Sequence, residues 1–186
     1  VRIIISDNYE NQYLKDFYEN RGISYYLYDF KQIPFPKKEK NRYFSDKLLE
    51  LLKNNQIDYC FCFGNHLLKG NLLKEYENRI INFHPSLLPM YPGRHAIEQA
   101  VSAGERILGN TAHFINEGMD TGPIILQNVF LTKNYLEKGY GAVYSEQVPL
   151  LLKIDELLSE RKIHIVDDKV VIDGANDSIS HIYPDV

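Results

Sequence analysis

Residues 80 to 127 read IINFHPSLLPMYPGRHAIEQAVSAGERILGNTAHFINEGMDTGPIILQ, and the alternation of polar and apolar residues here decides how the chain folds. Ile80 and Ile81 lead into Asn82, Phe83 and His84, and an extended strand puts Asn82 and His84 on one face. Pro85 favours extended backbone at His84 and removes the next donor, so the strand ends there with the imidazole at its carboxyl edge. Open α/β sheets bind ligands at that edge. Asn110 to Asn116 and Pro123 to Phe130 are two further strand candidates. They are too close for a crossover helix and are expected to run antiparallel. The Gly-rich turn EGMDTGP between them carries Asp120, where a carboxylate can reach across to orient an imidazole.

Asn, His and Asp form a set suited to acyl transfer. An Asn amide donates to a developing oxyanion and an imidazolium adds a second donor; losing one such donor costs roughly a hundredfold to a thousandfold in rate. Asp120 would hold the His tautomer, favour its charged form and take a proton from an attacking amine, directly or through water. No covalent nucleophile is needed, and Ser86 follows a Pro among bulky neighbours, unlike a nucleophile elbow. Residues of these types also cap strands and build Gly turns without any catalytic role, so spacing alone leaves that reading open.

The segments NFHPSLLPMYPG and GMDTGPIILQ, with AHF at Ala112 to Phe114 between them, resemble the folate-dependent formyltransferases, most closely those acting on glycinamide ribonucleotide. The interval from His84 to Asp120, 120 − 84 = 36 residues, fits that family's pattern without a gap. The likeness is strong from about Asp58 to Gln127 and weaker beyond. It implies a three-layer α/β fold with a mostly parallel, Rossmann-type open sheet, and one domain over residues 1–186. It also implies that Asn82, His84 and Asp120 take the catalytic positions, with 10-formyltetrahydrofolate as co-substrate and no metal. The loop holding His66, Leu67 and Leu68 would form one wall of the pterin pocket, and Ile115, Glu117, Gly118 and Met119 the other. Pro85, Ser86 and Glu146 would meet the acceptor, a small-molecule primary amine. His66 stands where the family usually carries Arg. Glycinamide ribonucleotide is the first candidate acceptor and an amino-sugar nucleotide the second. A folate-binding remnant without activity is the third reading, although binding alone does not require the triad.

The family opens with a strand and a Gly-rich loop whose backbone amides hold the acceptor's phosphate. No such loop is present between Val1 and Gly22. In one register SDNYEN replaces the loop with bulky and acidic residues. In the other, VRIIISDN is the family's second strand and the first βα unit is absent. The spacing from Ser6 through Leu14 to Gly22 favours the second. Neither the second domain of a methionyl-tRNA formyltransferase nor the regulatory N-terminal domain of a formyltetrahydrofolate hydrolase is expected.

Composition narrows the class. A chain of 186 residues, 44% of them hydrophobic, is long enough for one domain with a core. The net charge of −4 is unevenly spread: residues 1–93 carry 13 basic and 11 acidic groups, residues 94–186 carry 8 and 14. Neither half reads as a nucleic-acid binder. No apolar run approaches a membrane span and no signal pattern opens the chain, so a cytoplasmic location is expected. A homodimer is compatible with the resemblance. Cys60 and Cys62 share one face of a strand and are expected as buried free thiols.

Along the chain, Val1 to Ser6 reads as a strand, Asp7 and Asn8 open a helix to about Asn20, and Ile23 to Phe30 is a Tyr-rich strand. KQIPFPKKEKNR reads as a basic loop, either solvated or a clamp on an anionic acceptor. Ser45 is expected to cap a helix ending at Asn54 and Asn55, and Ile57 to Phe63 to form a central strand. A helix is expected from about His95 to Ala103, and another from Val143 to Glu160 with Pro149 near its start. IHIVDDKVVIDG closes as a hairpin turning at Asp167 and Asp168.

Overall fold

The computed structural model describes residues 1–64 and 66–176; the side chains of Lys37 and Lys38 lie outside the described residues. Eight strands are found among them: β1 (Ile3–Ser6), β2 (Ser24–Leu27), β3 (Cys60–Cys62), β4 (Ile80–His84), β5 (Ile107–Phe114), β6 (Ile124–Leu131), β7 (Ile163–Val166) and β8 (Lys169–Ile172). The α-helices are α1 (Lys15–Glu19), α2 (Lys37–Asn54), α3 (Asn71–Glu75), α4 (Ala96–Ser102), α5 (Thr132–Lys138) and α6 (Tyr140–Ser159). The α/β architecture expected from the sequence is present. Pairing is parallel between β1 and β2 and between β3 and β4, and antiparallel from β4 through β5 to β6.

Three layers follow from strand alternation. Cys60, Cys62 and Ile80 point to one face, where they meet Leu52 of α2 and Leu72 and Leu73 of α3. Phe61, Ile81, Phe83, Ala112 and Phe114 point to the other, where Leu150 and Ile154 of α6 cover them. Each fully buried aliphatic or aromatic side chain contributes roughly 1.5–3 kcal/mol relative to exposure. The β7–β8 hairpin packs against the α6 layer through Ile163, Ile165, Val170 and Ile172. Its turn is at Asp167 and Asp168, both with positive φ, as a two-residue hairpin turn of the expected kind requires.

Several expectations are corrected. The stretch between Asn8 and Asn20 is a 3₁₀ turn over Tyr9–Leu14 followed by the short α1, because none of the residues in these two elements is buried and nothing rewards a longer helix. The basic stretch is not a loop: Lys37 to Arg42 form the first turns of α2, which starts directly after Pro36. Ser45 is no cap. It lies inside α2, fully buried, donating to the Asn41 carbonyl and accepting from the Lys69 N–H. The strand expected from Ile57 is only three residues long and lies at the edge of its four-stranded sheet. Pro149 sits in the middle of α6, which begins at Tyr140. Cys60 and Cys62 are free thiols, as expected; they face inward although the residues are only partly covered, and burial pushes Cys60 up to about 12. Among the described residues no helix is long and apolar enough to cross a membrane.

Candidate active site

The site forms where β4 ends. Asn82 pairs with His113 and His84 with Thr111 in the β4–β5 ladder, so Asn82, His84 and His113 share one face. The turn after β5 returns tightly because Gly122 approaches the chain so closely: a Cβ there would lie 1.8 Å from the Phe114 carbonyl oxygen. Asn116 braces that turn, its side-chain oxygen accepting from the Gly118 N–H at 3.0 Å and the Thr121 hydroxyl at 3.0 Å. Asp120 is thereby held in the left-handed region, φ 53°, with its carboxylate turned inward. A non-glycine residue stays there only when its surroundings fix it.

The opposing loop supplies that fixing. The Gly93 N–H donates to Asp120 Oδ2 at 2.7 Å, and Gly93 has φ 82° with the Met119 sulfur 2.9 Å from where a Cβ would be. Asp120 Oδ2 lies 3.4 Å from His84 Nδ1, and Oδ1 lies 3.6 Å from His113 Nε2. The Asp120 carboxyl is held below its usual range, first by the hydrogen bond with His113, then by the Gly93 N–H and the neighbouring His84. Partial burial opposes this and is outweighed.

Each ring nitrogen has a defined neighbour. His84 is buried, and its Nε2 is 2.9 Å from the Tyr91 carbonyl. A carbonyl only accepts, so Nε2 carries a proton and Nδ1 is the nitrogen turned toward Asp120 and the site. His113 is 2% exposed and its Nδ1 donates to the Phe114 carbonyl at 2.9 Å. Its Nε2 therefore stands between two groups, Asn82 Nδ2 at 3.2 Å and Asp120 Oδ1 at 3.6 Å. Neutral, that nitrogen accepts from the Asn82 amide; protonated, it donates to Asp120. Either bond orients a member of the expected triad. Sequence reasoning missed His113, and the signal available was its position in AHF, aligned with Asn82 across two strands of alternating pattern.

The remaining expected residues divide. Leu68 and Ile115 pack on the same core cluster, which brings the two expected pterin walls together. Among the described residues no hydrogen bond within the chain uses the N–H or C=O of Leu67 or Leu68, and Leu67, Glu117, Gly118 and Met119 are exposed. Free backbone donors and acceptors beside apolar side chains suit a flat heterocycle. His66 instead stacks on Phe30, ring centroids 3.5 Å apart, with Nε2 3.5 Å from Asp7 Oδ2; burial pulls its pKa down. Pro85 opens the loop after β4. Ser86 is buried and internally satisfied: its hydroxyl donates to the Met90 carbonyl at 2.7 Å, its N–H to His84, and its carbonyl accepts from Thr111. Glu146 lies on α6, on the sheet face opposite the triad, and its carbonyl accepts from Asn128. The α6 residue that reaches the end of β4 is Gln147, 3.4 Å from the Phe83 carbonyl. Of the basic stretch, Lys40 donates to the carbonyls of Phe30 and Lys31 and Arg42 pairs with Asp46 at 3.6 Å, so neither is arranged as an anion clamp. Among the described residues no group of three or more His, Cys, Asp or Glu is placed to hold a metal ion.

The chain is similar to several known proteins. It is 44% identical over 94 residues to phosphoribosylglycinamide formyltransferase of Bacillus subtilis (strain 168), covering 50% of this chain and 48% of that protein. It is 36% identical over 119 residues to the mitochondrial formyltetrahydrofolate deformylase 2 of Arabidopsis thaliana, 64% of this chain and 34% of that protein. The chain thus spans about half or less of the length of these relatives. Its fold matches the crystal structure of glycinamide ribonucleotide transformylase 1 from Symbiobacterium toebii, with a TM-score of 0.80 at 30% identity, covering 92% of this chain and 80% of that one. Residues 8–137 match the family described as formyl transferase, and the chain belongs to that family.

Proposed function

We propose that this chain transfers a formyl group from 10-formyltetrahydrofolate to the primary amine of glycinamide ribonucleotide. The observation that carries the reading is the convergence of Asn82, His84 and Asp120 on one sheet face, with His113 bonded among them. The relatives named for glycinamide ribonucleotide support the choice of acceptor. The co-substrate supplies the formyl group as an activated amide on a flat heterocycle, which Leu67, Leu68 and the exposed turn from Glu117 to Met119 would hold through backbone groups and apolar contact.

Asn82 has two amide hydrogens. One is directed at His113, and the second is left to donate to the formyl oxygen as negative charge develops on it. As an imidazolium, with Nε2–H kept on the Tyr91 carbonyl, His84 adds a second donor through Nδ1, whose contact with Asp120 at 3.4 Å is long enough to yield to an oxyanion. Asp120, ionised because its pKa is depressed, takes the proton that the amine loses as its nitrogen bonds to the formyl carbon. The bond from that carbon to the donor nitrogen then breaks, and the departing nitrogen takes up a proton. The Tyr91 carbonyl keeps His84 in register throughout, since Nε2 is committed to it.

The deformylase relatives support a second reading, in which water replaces the amine. An assay with 10-formyltetrahydrofolate separates them, run with glycinamide ribonucleotide, with an amino-sugar nucleotide, and with no acceptor. Release of tetrahydrofolate that requires glycinamide ribonucleotide and yields its formylated product is the expected outcome. Equal release without any amine would replace transfer by hydrolysis, and release only with the amino sugar would reassign the acceptor.

A further inference from the structure

His84 keeps a proton on Nε2 because the Tyr91 carbonyl lies 2.9 Å away, so whatever fixes that carbonyl fixes the ring. Tyr91 is in the left-handed region, φ 53°, where a bulky residue stays only if its surroundings hold it. Regular structure gives no such hold. The chain from Ser86 to Gly93 lies in neither helix nor strand, and the bond from the Met90 N–H to the Leu87 carbonyl at 2.9 Å turns it without tying down Tyr91. Packing is loose as well: a cavity of about 20 Å³, about the room of one water, is lined by Ser86, Leu87, Tyr91, Glu105 and Leu108 between this loop and the start of β5.

Side-chain contacts take over. The Ser86 hydroxyl donates to the Met90 carbonyl at 2.7 Å and reaches the Tyr91 carbonyl at 3.3 Å, so the oxygen that holds His84 is met from two sides. The Tyr91 ring packs against the cluster of Ile97, Ala100, Leu108 and Phe130. At the far end of the ring, the Tyr91 hydroxyl donates to Glu105 Oε1 at 2.8 Å. That bond pushes the phenol's pKa up, which keeps it a donor through the neutral range.

Glu105 stands on a rigid base. Helix α4 ends in a Schellman-type turn: Gly104, φ 79°, donates to the Val101 carbonyl at 3.0 Å, and the Glu105 N–H donates to the Ala100 carbonyl at 3.1 Å. The Glu105 carbonyl accepts from the Thr132 hydroxyl at 2.6 Å, and the Thr132 N–H donates to the Arg106 carbonyl at 3.0 Å. The backbone of Glu105 is thus pinned between α4, β5 and the start of α5. A Tyr–Glu bond this exposed adds little stability by itself. Its weight comes from joining that base to a loop with little else to hold it.

We propose that Tyr91 and Glu105 are positioning residues: their hydrogen bond is a strut that holds the Tyr91 backbone in the left-handed region, keeps its carbonyl on His84 Nε2, and leaves Nδ1 facing Asp120 and the site. Both side chains act through His84 rather than on the reacting atoms. The effect on rate rests on the oxyanion role proposed for His84; the effect on its tautomer does not.

Four variants test it with two readouts, the ring-nitrogen NMR signals of His84 in the ligand-free chain and steady-state formyl transfer. In the unaltered chain the neutral ring should show a protonated Nε2 and a bare Nδ1. Tyr91→Phe, which removes one oxygen, and Glu105→Ala should each bring the two signals closer together as the Nδ1–H form becomes populated. Each should lower kcat by about threefold to tenfold, the range for one hydrogen bond, with KM for 10-formyltetrahydrofolate changed by less than about twofold. The double variant should be no slower than either single one, since both remove the same bond. Glu105→Gln keeps an acceptor and should restore the His84 signals and bring kcat to within about twofold of the unaltered chain. His84 signals unmoved in Tyr91→Phe would overturn the proposal, as would rate losses that multiply in the double variant or a Glu105→Gln variant as slow as Glu105→Ala. If the unaltered chain transfers no formyl group, the proposed reaction fails and the His84 signals alone decide for or against the strut.

Discussion

The carboxyl ends of β1 and β4 lie on the same edge of one fold and are built in opposite ways. At the end of β4, Asn82, His84, His113, Asp120, Gly93 and the Tyr91 carbonyl satisfy one another within 2.7 to 3.6 Å. At the end of β1, Asp7 meets a His66 already stacked on Phe30, and among the described residues no strand pairs with the edge of β1 away from β2. The difference teaches where the chemistry is built into this chain. The end of β4 is held together by its own side chains and backbone groups, whereas the end of β1 is occupied by the stack of His66 on Phe30.

Mutations can break or sharpen that contrast. The largest effect is expected from Asp120→Asn, which keeps the shape but removes the base: turnover should fall by roughly a hundredfold or more while folate affinity, by equilibrium titration, changes much less. Asn82→Ala removes one oxyanion donor and should lower kcat by about a hundredfold with KM for the co-substrate little altered. His113→Gln keeps an acceptor for Asn82 but no charge for Asp120, so a loss of about tenfold is expected, with the acid limb of the rate profile moved upward. A merely structural role for His113 would leave that limb in place. Substitutions at the β1 end should do less. His66→Ala is expected to change kcat by less than about threefold, since the ring touches Phe30 and Asp7 and none of the triad.

The pH dependence carries the same contrast at smaller amplitude. Asp120 is held below the ordinary aspartate value of about 3.9. Its contribution to stability is therefore present above that value and is lost as pH falls through the lower folded value. Thermal midpoints measured between about pH 5 and 2 should fall less steeply for Asp120→Asn than for the unaltered chain.

The β4 end was legible in the sequence because its signals are local. Alternation placed Asn82 with His84, Pro85 marked the strand end, and the Gly-rich turn placed Asp120. His113 was less visible, since its role depends on the register between β4 and β5, which pairs it with Asn82 31 positions away. The start of α2 was missed because Lys37 to Arg42 are polar on every side, so no apolar period marks the helix until Phe44. Ser45 misled for the same reason: a Ser before an apolar stripe reads as a cap, whereas here it is buried mid-helix and bonded to Lys69. The break in the sheet is a matter of tertiary pairing. Strand composition at Ile3–Ser6 and Cys60–Cys62 suits a paired interior strand and carries no sign of an open edge.

The measurement that most directly tests the central claim follows a labelled formyl group from 10-formyltetrahydrofolate in single turnovers, with and without glycinamide ribonucleotide, for the unaltered chain and for Asp120→Asn. The label should reach the amine only when the ribonucleotide is present, and the Asp120→Asn rate should be slower by roughly a hundredfold or more. Label released as formate at the same rate without the amine, or an Asp120→Asn variant as fast as the unaltered chain, would contradict the account.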